Sequence, residues 1–275
     1  MTALATAPAG RGAHPGRPSV VDRVLAALDT VRDPELDEPV TALGFVASAA
    51  VSCDGVATVH LRLPTYFCAP NFAFLMVADA FDAVSVVPGV SRAEVVLDDH
   101  FAAAEINGGV AARAGFVGSF GDQAAAELDD LRADFLRKAV LAGTDRVCRP
   151  LLTAGRTPAD LAELTLGDLP AGPELDRLRA RRAELGLPAG DAAPLLVDPA
   201  TGAPVEPGAL PLHLGRARVT RVSLEANGGV CRGMLRSRYG DVPGRGEVPD
   251  DGGTFIPLAL LTADPSVNAD RETVR

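Results

Sequence analysis

The sequence predicts an α+β fold with a mainly helical C-terminal extension. Three observations carry that prediction. An opening run has apolar residues at helical spacing. Two short strand-like runs then meet at an Asp-Gly turn. An apolar helical run and a third strand follow before the texture changes near residue 110.

The elements read in order as follows. Residues 1–17 are mostly Ala, Gly, Pro and Arg with no apolar stretch, and are expected to be disordered. Val20, Val21, Val24, Leu25, Leu28 and Val31 then recur on one helical face. Ser19 with Asp22 three residues on resembles a capping box, and Asp33-Pro34 ends the helix. Ala42 to Val51 reads as a strand, Asp54-Gly55 as a hairpin turn, and Val56 to Leu63 as an alternating strand. Asn71 to Val87 reads as a helix apolar on most sides. Pro88-Gly89 turns the chain into a third strand, Val90 to Leu97. This unit, residues 18–107, is large enough for a small domain.

The extension, residues 110–235, reads as mainly helical. Asp122 to Ala142 carries Leu128, Leu131, Phe135 and Ala139 on one stripe, which must bury itself on something. Arg146 to Ala154 continues helically, with a break expected at Pro150. Thr157-Pro158-Ala159-Asp160 is a helix start, and Pro173 to Leu185 is a charged helix. Residues 188–211 read as loop, Ala217 to Leu224 as a strand, and residues 236–275 as a flexible Pro/Gly-rich tail. The hexapeptides at 105–110 and 225–230 both contain Asn-Gly-Gly and read as turns.

Composition narrows the function. A net charge of -10 argues against holding nucleic acid phosphates or an anionic membrane surface. No apolar run reaches the length of a membrane span, and no secretory signal is visible at the start. The four cysteines, Cys53, Cys68, Cys148 and Cys231, are widely spaced. That fits neither a zinc ribbon nor a disulfide framework, so reduced thiols in a cytoplasmic protein are expected. No P-loop, G-x-S-x-G or H-E-x-x-H occurs, and the chain is not expected to be an enzyme.

One loop concentrates chemistry. Leu63 to Phe72 reads LPTYFCAPNF and puts Cys68 between a strand and the start of a helix. A helix N-terminus favours a thiolate, which is a nucleophile and a soft metal ligand. The competing reading is a small buried packing residue. His100, beside Asp98 and Asp99, is a second candidate ligand, and Cys231 a third if the extension folds back. Asp33 and Glu35 read as a turn with solvated charge, His60 as a surface side chain, and Cys53 and Cys148 as structural.

Asp33-Pro34-Glu35-Leu36 with Leu43-Gly44-Phe45-Val46 resembles the opening signature of the iron–sulfur cluster assembly domain family, found in SufT-like and PaaD-like proteins. Pro64-Thr65-Tyr66 followed by Cys68 resembles the cysteine loop of the PaaD branch, and Val87-Pro88-Gly89-Val90 followed by Val95-Val96-Leu97 resembles its last strand. The resemblance covers about residues 18–107. Two features depart from it. Ala69 separates Cys68 from Pro70, and Asp98-Asp99-His100 stands where the family has aspartate-x-tryptophan.

The resemblance implies an accessory protein for assembly or maturation of an iron or iron–sulfur centre. Its cargo would be held transiently by Cys68, with His100 and Cys231 as further candidate ligands. The PaaD-like loop points to a client such as a multicomponent oxygenase, including di-iron mono-oxygenases. One such cysteine per protomer suits a site shared across a homodimer. The alternative is a non-metal, chaperone-like subunit that clamps a partner through its helical half. A cysteine-dependent enzyme pairing Cys68 with His100 is a third reading.

Overall fold

Ser19 starts the first helix, α1 (Val20–Leu28). Its hydroxyl accepts from the Asp22 amide, while the Asp22 carboxylate accepts from the Ser19 amide, which is the reciprocal box expected from the sequence. The computed structural model describes residues 18–240. The chain separates into two units at Gly240, and the second, residues 241–275, lies outside the described residues, as does the disorder expected of residues 1–17.

After α1 an irregular stretch leads into β1 (Val46–Val51), and a tight turn at Gly55 returns the chain as β2 (Val56–Arg62). The α2 helix (Pro70–Ser85) crosses to β3 (Arg92–Asp98). The sheet has the order β1-β2-β3, antiparallel between β1 and β2 and parallel between β2 and β3. Strand β2 alternates as expected. Ala57, Val59 and Leu61 are buried, and Thr58, His60 and Arg62 point to the other face. Helix α2 buries Ala73, Phe74, Leu75, Met76, Val77, Ala80 and Val84, which is why it looked apolar on most sides. Strand β1 is shorter than expected. Residues 40–44 form a turn that needs a positive φ at Gly44.

The extension comprises α3 (Ala103–Ala111), α4 (Gly115–Phe120), α5 (Asp129–Thr153), α6 (Pro158–Ala162), α7 (Pro173–Glu184) and α8 (Leu210–Tyr239). The α5 stripe packs on the first core: Phe135 meets Phe72 edge-on at 4.9 Å, and Arg132 pairs with Asp79 at 2.7 Å. Several expectations are corrected here. Pro150 does not break α5, because it sits in the last turn, where only one ladder bond is lost. The strand expected at 217–224, the turn at 225–230 and the first residues of the expected tail, 236–239, are all parts of α8. The other Asn-Gly-Gly lies inside α3.

The extension also builds a second core of its own. Val140, Cys148, Leu161, Leu166, Leu178, Leu195, Leu196 and Leu210 bury one another. Arg182, fully buried, donates to the carbonyls of Pro194 (2.8 Å) and Leu195 (2.5 Å) and so pins the loop that closes this core. Helix α8 begins in the second core at Leu210 and ends in the first at Leu235.

Candidate thiol site at the cysteine loop

The parallel pairing of β2 and β3 explains the site's position. Arg62 at the end of β2 lies beside Asp98 at the end of β3, so the loops leaving these two strands run side by side. The first carries Cys68, and the second carries His100. The Phe101 amide donates to the Tyr66 carbonyl at 3.2 Å and ties the two loops together.

Cys68 is half-buried, two residues before α2. Pro70 occupies the first helical position, where its missing N–H costs nothing. Ala69 at the cap offers no side-chain oxygen, so the positive end of α2 is left without a side-chain cap next to the thiol. The Thr65 hydroxyl lies 3.3 Å from the Cys68 sulfur.

His100 is buried, and its ring is used at both nitrogens. Nδ1 accepts from the Ala102 amide at 3.2 Å, so Nε2 carries the proton and donates to the Cys68 carbonyl at 2.7 Å. In this arrangement no imidazole lone pair is open to a metal. The structure does bring His100 to Cys68, as a clamp on the loop's backbone. Asp99 turns the chain with a φ of 52° and is engaged by α8.

Three aromatic rings stand on the outside of the two loops. Tyr66, Phe67 and Phe101 lie 5.0–6.3 Å from one another, and Phe67 is 76% exposed. They form an apolar lip on the two loops that carry Cys68 and His100.

The Asp33 turn is more than solvated charge. Its Oδ1 accepts from the Glu35 and Leu36 amides, both at 2.9 Å, and holds the turn. The carboxyl is nonetheless buried, and burial pushes its pKa up to about 6. Glu35 remains half-buried.

Helix α8 closes the site from the extension. Arg232 pairs with Glu38 at 2.5 Å, Leu235 packs over Gly44, and Arg238 bonds the Leu63 carbonyl and Asp99. Tyr239 donates to Asp99 at 3.0 Å, with the Arg62 guanidinium over its ring. This strap turns Cys231 towards the first core. Cys231 and Cys68 pack on the same core. Burial pushes the Cys231 thiol up to about 11, and the nearby Asp33, Cys68 and Glu35 groups add to that.

The other two cysteines are elsewhere. Cys148 is buried in the second core, where burial and Asp145 raise its pKa to about 12, so it is structural as expected. Cys53 is exposed at the β1–β2 turn, so it has no packing role, contrary to expectation. His60 is half-exposed and pairs with Asp98 at 3.0 Å. Among the described residues, no three His, Cys, Asp or Glu side chains are gathered as a ready ligand set.

Residues 21–95 match the model of a family described as iron-sulfur cluster assembly protein. This agrees with the resemblance carried by the motifs between Asp33 and Leu97. The matched part takes in Asp33, Glu35 and Cys68 and ends within β3. His100, Cys231 and the helices from α3 onward lie outside it, and it covers less than a third of the chain. A search of curated proteins found no match. Among the described residues, no helix is long and apolar enough to cross a membrane.

Proposed function

We propose that this protein is an accessory factor for the assembly or maturation of an iron or iron–sulfur centre, and that Cys68 and Cys231 hold the cargo in transit. The observation that carries this reading is the placement of Cys231. A helix outside the family-like segment carries a second thiol that packs on the same core as Cys68, near enough for Cys68 to bear on its electrostatics. Two soft donors fit iron better than one. Among the described residues no third ligand joins them, and a hold by two thiols suits release. The remaining coordination positions would be filled by inorganic sulfide, a small thiol or the client's own ligands. The second thiol comes from the same chain, so a site of this kind does not require a second protomer. The aromatic lip of Tyr66, Phe67 and Phe101 offers a client an apolar surface beside the cargo. The client is a metalloenzyme, with the PaaD-like loop favouring a multicomponent oxygenase.

Anaerobic reconstitution with ferrous iron and sulfide tests this reading. The parent protein is expected to take up iron and develop visible charge-transfer absorption. Cys68→Ser and Cys231→Ser should each cut bound iron at least threefold, because Ser keeps the volume and removes the soft donor. Full retention by Cys68→Ser would sink the cargo role. A specific observation favours one alternative, a metal-free clamp for a partner: the raised pKa of Cys231 keeps that thiol protonated near neutrality. In that case the double Ser variant would bind no iron yet support the client fully.

A further inference from the structure

The outer face of α8 carries a feature that the thiol site does not use. Leu212, Gly215, Val219, Val222, Ala226, Gly229 and Gly233 follow one another in steps of three and four, and all seven are exposed. This 3.5-residue rhythm is that of a coiled-coil seam. It runs for about 32 Å, from 21 steps of 1.5 Å. No charged residue interrupts it, although α8 carries arginines at 216, 218, 221, 232, 236 and 238. Leu212 is 63% exposed, Val219 69% and Val222 48%. Val230 and Met234, also exposed, flank the seam.

The glycines sharpen the point. Each outward glycine inside a helix costs about 1 kcal/mol relative to alanine. At Gly215, Gly229 and Gly233 an added Cβ would meet nothing within 4 Å, so nothing among the described residues calls for a glycine there. Small residues along such a seam let a second helix come close.

We infer that this face pairs with the same face of a second copy of the chain, the two α8 helices running antiparallel. Side-chain size and charge select this partner and this direction. When Val219 lies opposite Val222 of the second copy, Leu212 falls opposite Gly229 and Gly215 opposite Ala226, so the largest residue meets one of the smallest. The same register sets Arg218 beside Glu225 of the second copy, a carboxylate that within its own chain also holds Arg221 at 2.5 Å and lies 3.5 Å from Arg146. A parallel pair would instead stack Leu212 on Leu212 and the glycines on one another, and it would set no acid against these arginines.

The test uses the full-length chain under reducing conditions. Sedimentation equilibrium should give twice the 28.3 kDa chain mass at tens of micromolar. V219E/V222E should weaken association at least 100-fold while leaving the helical circular dichroism intact, since both positions face solvent in the single chain. In a C53S background, L212C protein mixed with G229C protein should form a disulfide-linked dimer under mild oxidation, whereas L212C alone should not. A chain monomeric at all these concentrations overturns the inference, as does a dimer untouched by V219E/V222E. Self-linking of L212C would show parallel pairing and overturn the register.

Discussion

Asp33 shows how a single side chain can serve the fold and strain it at once. Its carboxylate accepts two backbone amides, which favours the charged form, yet burial outweighs them and raises its pKa from 3.8 to about 6. A carboxyl whose pKa is raised on folding binds its proton more tightly in the native state. Its contribution to stability is therefore full below about pH 4 and is lost as pH rises through 6. Asp33→Asn keeps the Oδ1 acceptor and removes the titration. Thermal unfolding should find the variant more stable than the parent at pH 7–8, by about 1–3 kcal/mol, with the difference vanishing near pH 4. A variant equally destabilised at both pH values would show that the charge itself is needed by the turn. The turn was legible in the sequence through Asp33-Pro34; the burial was not, because it depends on elements far along the chain. His100 illustrates the same limit. Its type and neighbours suggested a ligand, but only the crossing of two loops reveals that both nitrogens are committed.

At the scale of elements, the small sheet and its helices were readable because their apolar residues keep clean periods. Helix α8 was not. Its inward positions follow perfect helical steps, Ala217, Arg221, Leu224, Gly228, Cys231 and Leu235, but half of them are small or charged, so the hydrophobic rhythm is silent. Gly228 is there for space: a Cβ would come within 2.5 Å of Glu38. The one available signal for Cys231 was that 3-4 spacing, read without regard to hydrophobicity. The Gly44 turn and Leu235 form the point where α8 seats on the first core. Gly44 has a φ of 77°, and an added Cβ would stand 3.2 Å from Leu235. Gly44→Ala is expected to lower stability by about 1–2 kcal/mol from backbone strain alone. It should also loosen the strap, so that iodoacetamide modifies Cys231 several-fold faster. Urea unfolding and mass spectrometry of the labelled thiols would check both. Unchanged labelling would mean that α8 is held chiefly by its ion pairs.

Across the whole molecule, the two cores are joined by shared elements as well as by contact. Helix α5 lays Phe135 on Phe72 while its Cys148 lies in the second core, and the buried pair Arg181–Asp37 (2.6 Å) links α7 to the turn after α1. Helix α8 enters both cores. Burial of that ion pair makes loss of either partner costly, on the order of 3 kcal/mol or more. These links predict one cooperative transition for residues 18–240. Pulsed alkylation in urea offers separate reporters, Cys231 for the first core and Cys148 for the second, and their midpoints should coincide. Two separated midpoints would mean that the extension unfolds on its own. The sequence suggested a boundary near residue 110 because the familiar motifs stop there. Nothing local marks the long-range pairs that cross it.

The position of Cys231 along α8 has a consequence for stoichiometry. It lies about ten residues beyond the centre of the outward seam, on the opposite side of the helix. In an antiparallel pair the two Cys231 residues are therefore displaced along the common axis by about 32 Å. No single cluster can bridge that gap. Such a pair would load two cargoes separately, each held within one chain, and its uptake curve would show two equal, independent events.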